Sequence, residues 1–383
     1  MSTPAAKQTK NAPTLRQAGI DAAAKTVATF SIRMVQYLDE NANIVNNLPT
    51  FAEDNAELLK LFRTMLLLHH FDRKVLMLHR TGKMGTYPGT LGQEAVGVGM
   101  ASTMTDNDIL VPYYRSVTDL YVRGAKLHEI LLFWVGDERG LDFKHPRLRN
   151  DLPIPLCIAS QIPHAAGVAN AIRIRGEKNR AVLTAIGDGG TSEGDFYEGL
   201  NCAGAWKLPL VIVINNNRWA LTEPNRCQTN CQTLAQKAIA GGFEGIQVDG
   251  NDVIAVRATV DEALQKARSG GGPTLIEALT YRLCAHTTID NMERYYDKEE
   301  YEEALGKEPL IRLRKLLQSR NVLDDASETR MLNEIKEEIE HEVELALNTP
   351  PQPPEAIFDY LYAELPERQQ GQRAELLARW RRD

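Results

Sequence analysis

The stretch from Ala181 to Leu221, AVLTAIGDGGTSEGDFYEGLNCAGAWKLPLVIVINNNRWAL, limits the fold more than any other part of the chain. Ala181 to Ile186 is a short apolar run with β-branched residues, the pattern of a strand buried on both faces. It stops at Gly187-Asp188-Gly189-Gly190, where glycine permits a sharp turn and a close backbone approach to a ligand. A helix is expected from about Ser192, with Asp195 closing an approximate capping box and Phe196, Leu200, Ala203 and Trp206 facing the sheet. Pro209 ends the connection, and Leu210 to Ile214 reads as the next buried strand. The connection exceeds the dozen or so residues that a parallel crossover needs, so the unit is βαβ.

Asp188 and the run Asn215-Asn216-Asn217 lie just past the carboxyl ends of these two strands, where open α/β sheets bind ligands. A helix N-terminus beside Asp188 suits a phosphate. Asp188, Glu193 and Asp195 crowd the same turn, however, and bare carboxylates repel a diphosphate. A divalent cation resolves the conflict. Magnesium takes oxygen ligands at about 2.1 Å, one or two of them from protein, and the Asp188 carboxylate with the Asn217 amide oxygen fits that need. A dinucleotide fingerprint fits poorly, because the third glycine would fall at position 192, which is serine. The plain alternative is a tight strand–helix turn with an incidental aspartate. The glycine–aspartate–glycine turn followed by paired asparagines one βαβ unit later is the more specific pattern.

Gly187-Asp188-Gly189 with Asn216-Asn217 resembles the thiamine diphosphate motif of thiamine-dependent enzymes. The longer strings GDGGTSEGDFYEGLNCAGAWKLP and NNNRWAL resemble the alpha subunit of the decarboxylating component of 2-oxoacid dehydrogenase complexes, most closely those acting on pyruvate. The resemblance extends from about Phe30 to about Leu376. It implies an α/β thiamine diphosphate-binding fold, a mostly parallel sheet with helices on both faces and a helical C-terminal region. It implies thiamine diphosphate and Mg²⁺ as cofactors, with Asp188, Asn217 and the backbone carbonyl of Trp219 as metal ligands. Tyr114, Arg115, Leu156, Ile158, Gly187, Asp188, Gly189, Gly190, Asn217, Arg282 and His286 are the cofactor contacts it carries over, and His286 the catalytic residue. A separate beta subunit would supply an activating glutamate in an α2β2 heterotetramer, and lipoyl domains of a dihydrolipoyl acyltransferase would accept the product of 2-oxoacid decarboxylation. Branched-chain 2-oxoacid and acetoin dehydrogenases share the scaffold and stay open as alternatives. So does a non-catalytic scaffold subunit, against which the intact Asp188, Asn217, Arg115 and His286 weigh.

The residues themselves support parts of this reading. Arg115, just past the expected strand Asp108–Val111, offers a fork for phosphate oxygens, and Tyr114 beside it can stack or hydrogen-bond. A surface Tyr-Arg pair is the bland alternative. Arg282 and His286 stand past the strand expected over Thr274–Tyr281, where a histidine can orient a carboxylate or move a proton. Gln93 and Glu94 fit the first turn of a helix after the glycine-broken Gly82–Gly92, a packing role, with cofactor contact as the lesser alternative. Residues 137–152 are charged and aperiodic, which suggests a loop at the mouth of the site. Where mammalian relatives carry regulatory serines, this chain has Thr287 and Arg294, so phosphorylation control of that kind is not expected, although Thr287 and Thr288 remain possible acceptors.

Composition sets the outer limits. The 383 residues carry a net charge of −7, which argues against nucleic acid as a partner. No apolar run approaches the ~20 residues of a membrane span. Five cysteines, without a secretory signal, point to reduced thiols in a cytoplasmic (bacterial) compartment, and Cys227 and Cys231 lack a second pair to complete a zinc site. Residues 1–29, rich in Ala, Thr, Lys and Gln, are expected to be a disordered arm. Its basic, acid-poor composition leaves a mitochondrial transit peptide as the minority reading. The expected organisation continues with an α/β domain over 30–300, its N-terminal extension being a long helix from Phe51 to Gly82, and a helical region over 301–383 with a Pro-rich linker at 349–354.

Overall fold

A computed structural model describes residues 24–359 and 361–380, so the expected arm falls largely outside the described residues. In chain order the elements used below are β1 (Arg33–Val35), α1 (Asn55–Arg80), α2 (Glu94–Ala101), β2 (Ile109–Val111), α3 (Val117–Arg123), α4 (Leu127–Trp134) and α5 (Gln161–Arg175). There follow β3 (Val182–Gly187), α6 (Gly194–Ala205), β4 (Leu210–Asn216), a hairpin of β5 (Trp219–Ala220) and β6 (Glu223–Pro224), then β7 (Glu244–Asp249), α7 (Val253–Arg268) and β8 (Thr274–Leu279). Two longer helices, α8 (Pro309–Ser319) and α9 (Asp325–Leu347), come after the sheet.

The six main strands run β1-β7-β8-β4-β3-β2, and every neighbouring pair is parallel. The two apolar runs of the central βαβ unit become β3 and β4, paired from Val182–Leu210 to Gly187–Asn215. Their side chains divide by alternation. Val182, Ile186, Leu210, Ile212 and Ile214 meet Ile162, Ala166 and Ala169 of α5 and Phe196, Leu200 and Ala203 of α6. Leu183, Ala185, Val211 and Val213 lie on the opposite face, in one core with Ile254, Val256, Val260 and Leu264 of α7. Each fully buried aliphatic side chain contributes about 1.5–3 kcal/mol relative to exposure. A slip of one residue would exchange both faces at once, so the pattern fixes the register.

Helix α1 begins where the Asp54 carboxylate accepts the Ala56 N–H at 2.8 Å. Leu58, Leu61, Phe62 and Met65 face the core at helical spacing, and buried His69 pairs with Glu94 at 2.8 Å, a core role. An Asp324–Ser327 capping box starts α9, whose Ile335, Ile339 and Val343 recur every four residues and join the same core as α8. The described residues from 32 onward form one compact unit.

Three expectations need correction. The helix after Asp188 does not begin at Ser192: a 3-10 turn, Gly189–Ser192, comes first, and α6 starts after Glu193 with no side-chain cap, so Asp195 closes no capping box. Trp206 does not face the sheet. It caps α6, the next residue, Lys207, turns left-handed (φ 50°), and the ring is left half exposed. Residues 137–152 form two 3-10 turns that do not border the main cavity. Their end is drawn to β2 instead, because the Asp151 carboxylate accepts the Leu110 N–H and forms a buried pair with Arg123.

Candidate active site

The parallel register delivers Asp188 and Asn217 to neighbouring strand ends, on a cavity of about 410 Å³. Gly187, Asp188, Gly189, Gly190, Asn217 and Trp219 line it, with Tyr114 and His286 from distant parts of the sequence and Ile158 from the segment before α5. One glycine here is required by close approach: a Cβ on Gly189 would stand 2.6 Å from the Ala220 Cβ, so the turn after β3 and the β5–β6 hairpin touch only because that atom is missing. Gly190 is similarly enclosed, its Cβ falling 2.7 Å from Ile186.

Asp188 is 2% exposed, and burial lifts its pKa to about 6 despite a hydrogen bond from Asn225 Nδ2 at 3.2 Å. The same Asn225 amide donates to Asn216 Oδ1 at 3.2 Å, joining the turn after β3 to the loop after β4. Asn216 turns away from the cavity and donates to buried Glu277 at 2.7 Å. Asn217 faces it, its side-chain oxygen accepting the Trp219 N–H at 3.2 Å and keeping a second lone pair. The oxygen donors gathered here are the Asp188 carboxylate and the Asn217 amide oxygen, with Trp219 beside them on the wall. Among the described residues no group of three or more His, Cys, Asp or Glu could hold a metal ion. A cation bound at Asp188 would therefore draw its remaining ligands from the bound molecule and water, the habit of magnesium with phosphates.

His286 lies where two guanidiniums meet. Arg115 Nη2 is 3.4 Å and Arg282 Nη1 3.3 Å from its Nδ1. Burial first, then the charges of Arg115 and Arg282, push its pKa down to about 3. The ring is neutral at physiological pH, and because both neighbours can only donate, Nδ1 accepts and Nε2 carries the proton. Arg115 and Arg282 do not line the cavity themselves. Arg115 donates to the Gly89 carbonyl at 2.5 Å, and Arg282 to the Leu221 carbonyl and the Tyr295 hydroxyl at 2.8 Å each. Leu156 is also outside the cavity wall, 63% exposed, while half-exposed Ile158 forms part of it. The Thr288 hydroxyl is engaged, accepting from the Tyr87 N–H at 3.1 Å.

Sequence reasoning did not single out Asn225 or Gln228, which reach the site from the segment after the hairpin, and it gave Gln93 first a packing role, with cofactor contact as the lesser alternative. Nothing in their local pattern marks them. Paired amides are informative only once the fold brings them to a strand end.

Fold and site together define an α/β protein with a ligand cavity at the carboxyl edge of a parallel sheet. The particular family follows from comparison: the model of the dehydrogenase E1 component family matches residues 62–355, and the chain belongs to that family. It is 39% identical over 337 residues to the "Pyruvate dehydrogenase E1 component subunit alpha" of Staphylococcus aureus (strain Mu50), covering 87% of this chain and 90% of the relative. The protein of the same name from Staphylococcus epidermidis (strain ATCC 12228) matches to the same extent. Membership makes the chain part of a thiamine diphosphate-dependent 2-oxoacid dehydrogenase, an oxidoreductase that works with a beta subunit and a larger complex.

Proposed function

We propose that the chain is the alpha subunit of a pyruvate dehydrogenase E1 component, which with its beta subunit decarboxylates pyruvate oxidatively and acetylates lipoyl groups of the acyltransferase core. The observation that carries this reading is the convergence of Asp188, Asn217 and Trp219 on one cavity beside a glycine turn. Pyruvate is chosen because the relatives above bear that name. Thiamine diphosphate, when bound, supplies an electron sink for loss of carbon dioxide.

Asp188, Asn217 Oδ1 and the Trp219 carbonyl hold Mg²⁺, whose charge offsets that of the buried carboxylate and of the diphosphate. Gly187, Gly189 and Gly190 let the backbone approach the phosphates. Tyr114 and the backbone around Leu156 and Ile158 border the cofactor, and Arg115 and Arg282 add positive potential from behind. Neutral His286 offers its Nε2–H to the substrate carboxylate or the lipoyl acceptor, held in that tautomer by the two arginines. The beta subunit completes the site in an α2β2 assembly and contributes the activating glutamate. Exposed Leu156, Ile158 and Leu221 near the cavity support such a covering partner. The five free cysteines suit a cytoplasmic compartment.

The deciding experiment assays the chain co-expressed with its beta subunit against pyruvate, 2-oxoisovalerate and acetoin, with dye reduction as readout. Pyruvate is expected to give the highest kcat/KM. Preference for either competitor overturns the substrate assignment. Unchanged thiamine diphosphate affinity in Asp188→Ala, by calorimetry, overturns the site itself.

A further inference from the structure

Asn217 sits at one end of a directed chain of buried hydrogen bonds. The Trp219 N–H can only donate, so the Asn217 atom 3.2 Å away is its carbonyl oxygen. The amide nitrogen of Asn217 therefore faces Gln93, whose Oε1 accepts it at 2.9 Å. The same oxygen accepts from Asn215 Nδ2 at 3.0 Å, and Asn215 Oδ1 in turn accepts from the Thr280 hydroxyl at 2.8 Å. With its amide reversed, Gln93 would set donor against donor. Its orientation is thus fixed, through two hydrogen bonds, by the Trp219 backbone N–H at the cavity wall.

The other end of Gln93 points elsewhere. Among the described residues Gln93 Nε2 has no hydrogen-bond partner, and neither has either carboxylate oxygen of Asp119, although the Ser116 hydroxyl and nearby backbone amides lie close to that carboxylate. Gln93 and Asp119 are 2% and 1% exposed and line one small cavity of about 10 Å³, the room a single water needs. Such a water would accept from Gln93 and donate to Asp119, closing the chain with a partner at every step.

We infer that Gln93 is a positioning residue: its Oε1 locks the Asn217 amide with the amide oxygen toward the cation site. This rests on the reading that Asn217 holds the cation. Partners behind a metal ligand typically change metal affinity about 10–100-fold when removed.

The test uses the assembled alpha–beta complex and measures thiamine diphosphate binding by calorimetry across magnesium concentrations, so the readout is binding and not turnover. Gln93→Met keeps length and removes the acceptor. It is expected to raise the magnesium concentration for half-maximal cofactor binding about 10–100-fold. Gln93→Glu keeps an oxygen where the two asparagine donors point and is expected to stay within about threefold of wild type, a difference of about 0.7 kcal/mol. The inference is overturned if Gln93→Met leaves the magnesium requirement within that margin, or if both variants are impaired equally, which is the signature of a packing role. Should Gln93→Met be insoluble, Gln93→Leu replaces it. Should that fail too, a requirement raised tenfold or more in Gln93→Glu overturns the inference, and one within threefold supports it. Wild type that binds thiamine diphosphate without regard to magnesium refutes the underlying metal site instead, and Asp188→Ala in the same titration separates the two failures.

Discussion

Replacing Asp188 by asparagine separates the cost of the site from its use. In the absence of a cation, burial raises this carboxyl from its ordinary 3.8 to about 6. That gap corresponds to about 3 kcal/mol of disfavoured charge. The sign follows from linkage. Between pH 3.8 and about 6 the folded protein keeps a proton that the unfolded chain has released, so stability falls as pH rises through that window. Above it the whole cost persists. Asp188→Asn keeps the shape and can still accept from Asn225, but carries no charge. In chelator, without thiamine diphosphate, the variant complex is therefore expected to be more stable than wild type by up to about 3 kcal/mol at pH 8 and by about half of that at pH 5. With magnesium and cofactor at a thousandfold excess over Kd the order reverses, because only wild type gains binding energy, about 4.1 kcal/mol. Thermal unfolding in both conditions reads the difference as a shift of several degrees, since 1 kcal/mol moves a domain of 150–250 residues by about 2–4 °C. A variant that is no more stable than wild type at pH 8 in chelator would refute the reasoning.

Four further outcomes are expected. His286→Ala should lower kcat by about 10²–10⁴-fold, the usual contribution of a positioned proton donor, while moving thiamine diphosphate affinity far less; equal losses in both would reduce the histidine to a cofactor contact. Because the imidazole is neutral down to about pH 3, the wild-type pH–rate profile should carry no inflection between pH 5 and 8 that His286→Gln removes. Gly189→Ala should weaken cofactor binding by pushing the β5–β6 hairpin away, its new methyl lying 2.6 Å from Ala220, and a complex of unchanged affinity would show the hairpin free to yield. The purified chain alone, given pyruvate, thiamine diphosphate, magnesium and an artificial electron acceptor, should show no steady turnover, and co-expression with a beta subunit should restore it; comparable turnover by the isolated chain would end the shared-site reading.

Local chemistry wrote much of this protein directly into the sequence. Two apolar runs of the right length, a turn of glycine and aspartate, and asparagines after the second run already specify a βαβ unit with oxygen donors at its carboxyl edge, because strand burial and turn geometry depend on neighbours in the chain. What tertiary structure decided is which distant groups those donors meet. Arg115 and Arg282 come together on His286 from 171 and 4 residues away and keep it neutral, where the sequence offered only an arginine after each of two strands. Asn225 ties Asp188 to Asn216, and Gln93 turns the Asn217 amide, through bonds spanning 37, 9 and 124 residues. The segment 137–152 left the site for β2 because Arg123 needed a buried partner in Asp151. Hydrophobic period is a property of successive residues, so it could be read in order. The orientation of an amide or the charge of an imidazole depends on whatever else is buried beside it, and only the folded chain supplies that.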